Sequence, residues 1–128
     1  MSPLEKAHVL FLEDEPLINL ATAAILEEMG CEVTAALQLE EAWEAARSYL
    51  PDAAILDVNV GIRTSFELAE WLTARGVPVI FLTGYNYPAE AGRWRQHPRC
   101  RKPCKPEEIA ALLTAVLRDR KDAPWNQW

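Results

Sequence analysis

The chain has 128 residues, half of them apolar and a quarter charged, with a formal net charge of −6 and three cysteines. That length closes about one hydrophobic core, the acidic balance argues against a nucleic-acid binder, and no apolar run reaches the ~18 residues of a membrane span. A start without a signal-peptide pattern and an odd, unpatterned set of cysteines lead to the expectation of one cytoplasmic domain over residues 1–128.

Residues 8–12, HVLFL, read as a buried strand. Pro16 fits the first position of a helix, where its missing N–H costs nothing. Ile18, Ala21, Ile25 and Met29 then recur at helical spacing up to a stop at Gly30. Residues 31–35 form a short second strand. Leu39, Ala42, Trp43, Ala46 and Leu50 mark the apolar face of a second helix, which Pro51 ends. Residues 53–58 are a continuous apolar run interrupted only by Asp57.

Thr64-Ser-Phe-Glu67 has the pattern of a capping box, and Leu68 and Leu72 carry a third helix to Gly76. Residues 77–82 are apolar on both alternating faces and read as a fully buried strand. A short helix is expected over residues 88–96 and a polar last strand over 98–102. Pro106-Glu-Glu opens the final helix, with Ile109, Leu112, Leu113, Val116 and Leu117 on one side. Its acids lie in the first turn and Arg118 and Arg120 near its end, as the helix dipole favours. The packed core spans about residues 7–118, and residues 119–128 read as a loose tail containing Trp125 and Trp128.

Five strands alternating with five helices imply an α/β fold, a doubly wound five-stranded parallel sheet. In such sheets ligands bind beyond the carboxyl ends of the strands. Glu13, Asp14 and Glu15 follow the first strand, Asp57 and Asn59 end the third, Thr83 follows the fourth and Lys102 the fifth, so they should converge on one edge. Carboxylates ~5 Å apart at an effective dielectric of ~20 repel by roughly 3 kcal/mol per pair. Either some pKa values rise or a cation sits among Glu13, Asp14 and Asp57. An all-oxygen donor set suits Mg²⁺, which shares its shell readily with phosphate. With the Lys102 ammonium and the Thr83 hydroxyl nearby, the set fits an aspartate that takes up a phosphoryl group.

The pieces "LEDEP", "ILDVN", "VIFLTGY" and "CRKPCKPEEI", in this order on these strand ends, resemble the receiver domain of two-component response regulators over about residues 7–118. The resemblance implies a flavodoxin-like receiver architecture and a phosphoacceptor signalling role rather than a turnover enzyme. Asp57 matches the phosphorylated aspartate. Glu13 and Asp14 match the acid pair, Asp14 binding Mg²⁺ directly and Glu13 through water, while Asn59 matches the residue whose carbonyl reaches the metal. Thr83 and Lys102 match the groups that meet phosphoryl oxygens. Glu15 matches no family role and reads as a solvated acid. Implied partners are a histidine kinase or phosphotransfer protein and a downstream protein target. With no output domain in the chain, readout would be protein–protein contact.

Three positions depart from the family pattern. Gly61 stands where a proline is common, the interval from Thr83 to Lys102 is short, and Arg99 replaces the usual switch aromatic three residues before the lysine. Thr83-Gly84-Tyr85 resembles a subgroup in which a tyrosine follows the Thr-Gly pair, so Tyr85 and Arg99 are the switch candidates. The departures at Arg99 and the fourth helix alter a face receivers use to dimerise, which leaves a homodimer open.

Other readings compete with these. The alternative is a degenerate receiver that binds partners without phosphorylation. A phosphatase with an aspartyl nucleophile would want an acid at position 59 to protonate the leaving group, and Asn59 stands there. A flavodoxin-like cofactor binder lacks a glycine-rich phosphate loop. His97, Cys100 and Cys104 lack a clear fourth zinc ligand. The basic stretch from Arg93 to Lys105 reads as a solvated face before a nucleic-acid surface. Trp94, with Trp125 and Trp128, is a candidate exposed aromatic.

Overall fold

A computed structural model of the chain describes residues 2–84, 92, 94 and 97–119. The elements are β1 (His8–Leu12), α1 (Pro16–Glu28), β2 (Glu32–Ala36), α2 (Leu39–Ser48), β3 (Ala53–Asp57), β4 (Asn59–Val60), β5 (Arg63–Thr64), α3 (Phe66–Thr73), β6 (Val79–Thr83), β7 (Arg99–Arg101) and α4 (Pro106–Asp119). Five strands form one sheet in the order β2-β1-β3-β6-β7, with every neighbour parallel. β4 and β5 make a separate antiparallel pair. The doubly wound sheet is as expected. The helix expected over residues 88–96 lies largely outside the described residues, as do Tyr85 and the tryptophan tail; four helices are described.

Side chains alternate across a strand, so a strand covered on both faces has to be apolar throughout. Leu10, Leu12, Ala54, Leu56, Val79 and Phe81 point to one side and pack with Ala42 and Ala46 of α2 and Leu68 and Leu72 of α3. Val9, Phe11, Ile55, Ile80 and Leu82 point to the other and meet Ala23 and Leu26 of α1 and Ile109, Leu113 and Val116 of α4. Apart from half-buried His8 at the start of β1, only Asp57 breaks this pattern in the three central strands before Thr83, and it does so at the carboxyl edge.

Several local expectations are corrected. α1 buries Asn19, Thr22, Ala23 and Leu26, not the Ile18–Met29 stripe. The amide of Asn19 donates to the carbonyls of Glu13 (2.9 Å) and Ala36 (3.0 Å), which turns this face inward. Leu17, Ile18 and Leu20 consequently face outward, 80%, 49% and 69% exposed. α1 is apolar nearly all round, and periodicity alone does not choose between its stripes.

The capping box lies at α2 rather than α3: Glu41 Oε1 accepts from the backbone N–H of Gln38 at 3.1 Å. Thr64 belongs to β5, and Ser65 caps α3 without a side-chain cap bond. Leu50 lies beyond the end of α2 and is exposed. Gly30 has a φ of +105°, the left-handed region that closes α1 as anticipated. Trp94 is the largest correction. It is 1% exposed, stacked on Phe66 and edge-on to Phe81.

Candidate functional site

The carboxyl edge of the sheet collects the charged residues because parallel strands all end there. Leu12 and Leu56 are register partners across β1 and β3, so Glu13 and Asp57 leave the sheet side by side. Asp57 pairs with Leu82 of β6, which puts Thr83 one residue further out. The N–H of Lys102 donates to the Thr83 carbonyl at 2.7 Å, extending the β6–β7 ladder by one step. Glu13, Asp57 and Thr83 are buried, Lys102 is half-buried, and Asp14 and Asn59 are exposed.

The Lys102 ammonium lies 2.6 Å from Asp57 Oδ1 and 3.2 Å from Glu13 Oε1. Glu13 Oε2 also accepts the N–H of Glu15 at 3.0 Å, and Asp57 Oδ2 accepts the N–H of Asp14 at 3.2 Å. One ammonium thus serves two buried carboxylates. Burial pushes the Asp57 carboxyl up to about 7; Lys102 draws it back, and the Glu13 charge raises it further. Burial lowers the Lys102 ammonium, but Asp57 and Glu13 outweigh that and hold it above its usual range.

One potential ligand atom each from Glu13, Asp14 and Asp57 lies within 4.8 Å of the other two. It is the one such group of acids, histidines or cysteines found among the described residues. The donors are all oxygen, two of the three residues are buried, and one ammonium leaves net negative charge. This fits a small hard cation such as Mg²⁺. Cys100 and Cys104 do not form a comparable site: burial pushes Cys100 up to about 12 and raises Cys104, and the Cys104 thiol donates to the Cys100 carbonyl.

The same order of parts recurs in known proteins. Residues 9–116 match the family model of the response regulator receiver domain. The chain belongs to that family. It is 40% identical over 80 residues to the transcriptional regulatory protein CseB of Streptomyces avermitilis, covering 62% of this chain and 34% of CseB. It is 26% identical over 121 residues to the sensory transduction protein LytT of Enterococcus faecalis, covering 91% and 50%. The chain therefore spans about a third and a half of these curated relatives. Among solved structures it is similar to a CheY-like receiver domain protein from Methanospirillum hungatei, with a TM-score of 0.81, 22% identity and 91% and 98% coverage. It is also similar to the chemotaxis protein CheY4 of Vibrio cholerae, with a TM-score of 0.74, 25% identity and 87% and 98% coverage.

In this receiver the residues after Asp57 form the β4–β5 hairpin, turning at Gly61 with a φ of +64°. Gly61 supplies a left-handed conformation that a proline cannot adopt. Ile62 at the tip is fully exposed, and Arg63 pairs with Glu40 of α2. Asn59 opens the hairpin, paired with Thr64. Arg99 starts β7, half-buried, and donates to the Trp94 carbonyl at 2.9 Å. Tyr85 lies outside the described residues.

Two contributors were missed in the sequence. The Ser65 hydroxyl donates to the Asp57 carbonyl at 2.5 Å and holds the turn after Asp57. Its place in an apparent capping motif concealed it. Asn19 ties Glu13 to Ala36. The signal was two polar residues, Asn19 and Thr22, three apart in an otherwise apolar helix, a spacing that shares one face.

Proposed function

We propose that this receiver domain accepts a phosphoryl group on Asp57 from a phosphohistidine donor, with Mg²⁺ bound, and thereby switches its protein contacts in the cytoplasm. The observation carrying this is the Asp57 carboxylate, 2.6 Å from the Lys102 ammonium inside the Glu13–Asp14–Asp57 cluster. An Asp57 oxygen attacks phosphorus, the P–N bond of the donor breaks, and the electron pair leaves with the imidazole, which takes a proton. Lys102 then pairs with a phosphoryl oxygen in place of Asp57 Oδ1, and the Thr83 hydroxyl donates to another. Asp14 and Asp57, with Glu13 and the Asn59 carbonyl behind them, would hold Mg²⁺, which supplies positive charge against the phosphoryl oxygens. The acyl phosphate is lost slowly to water, so the domain is a switch and not a turnover enzyme. Among the described residues no helix is long and apolar enough to cross a membrane.

Intact mass after incubation with acetyl phosphate and Mg²⁺ should rise by one phosphoryl group. The gain should vanish in Asp57→Asn and with a chelator. No gain from acetyl phosphate or from a phosphohistidine protein, together with no Mg²⁺ binding, would leave a degenerate receiver that binds partners unmodified.

The outward face of α1 supports a protein donor. Leu17 and Leu20 stand exposed on the helix that begins just after Glu13 and Asp14, and the buried core of a protein interface is more apolar than the rest of the surface. Leu20→Asp should slow transfer from a phosphohistidine protein by about fivefold or more, since losing an anchor costs over ~1 kcal/mol. Labelling by acetyl phosphate should be unchanged. Equal slowing with both donors would place the defect at the site and remove α1 from docking.

A further inference from the structure

Two thiols bracket Lys102. Cys100 lies in β7, packed into the core, and Cys104 follows half-buried on the connection to α4. The Cys104 thiol donates to the Cys100 carbonyl at 3.3 Å, and each thiol acts on the other as a hydrogen-bonding neighbour. The Cys100 thiol also donates to Glu108 Oε2 at 3.5 Å. Cys104 lines a cavity of about 160 Å³ together with Glu13, Ile18, Thr22 and Lys102, which gives a small molecule a route to its sulfur. Burial raises both thiols, Cys100 to about 12; for Cys104 the Cys100 thiol and the Lys102 charge offset part of that rise. Cys104 is therefore the sulfur that reacts first.

We propose that Cys100 and Cys104 are a dithiol pair which a small-molecule disulfide converts to an internal disulfide, and that this bond displaces Lys102 from Asp57. The second half rests on the phosphoacceptor reading. The Cys104 thiolate attacks one sulfur of the oxidant, whose S–S bond breaks and whose other half leaves as a thiol on taking up a proton. Cys100 then attacks the Cys104 sulfur of this mixed disulfide, its proton passing to the Glu108 carboxylate. The second half of the oxidant leaves as a thiol with that proton. Two protein thiols are oxidised to one disulfide, and one oxidant disulfide is reduced to two thiols. Reversible bonds of this sort are the ones found in a reducing compartment. The new bond replaces the contact of Cys104 with the Cys100 carbonyl and closes a ring around Arg101, Lys102 and Pro103. Lys102 is the middle residue of that ring, and its ammonium is the one that sits 2.6 Å from Asp57.

The test treats the whole protein with oxidised glutathione and follows intact mass. Loss of two hydrogens is expected, with tryptic fragments placing the bond between Cys100 and Cys104, and dithiothreitol should reverse it. Cys100→Ala should stop at one glutathione adduct on Cys104. Cys104→Ser, at a half-buried position, should give neither adduct nor bond, and it carries the test if the buried Cys100→Ala does not fold. Cys31→Ser should behave as wild type, because Cys31 is buried just before β2, away from the pair. The oxidised protein should take up the phosphoryl group from acetyl phosphate and Mg²⁺ about tenfold or more slowly than the reduced one, since a ~1 Å misplacement at a reacting centre costs up to about 10²-fold. Cys104→Ser should load at one rate with and without oxidised glutathione. A pair that stays reduced, or a reaction at Cys31 instead, overturns the inference. A disulfide that leaves uptake unchanged overturns its effect on Lys102 and spares the acceptor reading. No uptake by the reduced protein from acetyl phosphate or a protein donor overturns that reading and the effect on Lys102, while the mass still decides the bond.

Discussion

Asp57→Asn should make the metal-free protein more stable at pH 8, by about 2–4 kcal/mol in urea unfolding. The Asp57 carboxyl rises from 3.8 to about 7 on folding, chiefly through burial. A rise of that size corresponds to roughly 4 kcal/mol between its two ionisation states, an upper bound for the gain. The folded state binds more protons than the unfolded one between these values. The stability Asp57 contributes is therefore complete below about pH 4 and lost as pH rises through about 7. Asparagine has the same shape and no charge to strand, so the gap between variant and wild type should open from pH 5 to pH 8. Adding Mg²⁺ at pH 8 should narrow it, because a cation held among Glu13, Asp14 and Asp57 would favour the folded wild type. A gap that is absent at pH 8, or equally large at pH 5, would mean that crowded charge does not strain this edge.

Trp94→Ala should destabilise the protein by about 3–5 kcal/mol, the usual cost of deleting a buried large aromatic. The indole is 1% exposed and packed against Phe66, Phe81 and His97. An exposed tryptophan of the kind expected from the sequence would lose under about 0.5 kcal/mol on the same change. Denaturant unfolding separates the two. A small loss would return Trp94 to the surface.

The strand sequence, the parallel sheet and the edge on which the acids gather were legible because they rest on local patterns. Val9–Leu12, Ala53–Leu56 and Val79–Leu82 are apolar at consecutive positions, which only strands covered on both faces require. Glu13, Asp57, Thr83 and Lys102 then follow from chain order, since parallel strands share one carboxyl edge. Which stripe of α1 is buried was not legible. Its apolar residues run around the helix, and two long-range bonds from Asn19, to Glu13 and Ala36, decide the rotation. The role of Ser65 was hidden for a similar reason: it lay inside the apparent capping box of Thr64 and Glu67, and only the Asp57 carbonyl, eight residues away, shows what its hydroxyl holds.

The sequence by itself therefore determined the architecture and the identity of the charged set, because periodicity and strand-end placement are properties of the chain read in order. Tertiary structure alone decided how that set is held: one Lys102 ammonium between Glu13 and Asp57, Trp94 buried behind the site, and apolar leucines turned outward on α1. Those outcomes depend on groups up to 89 residues apart competing for the same space and the same charge, and no local pattern records which of them wins.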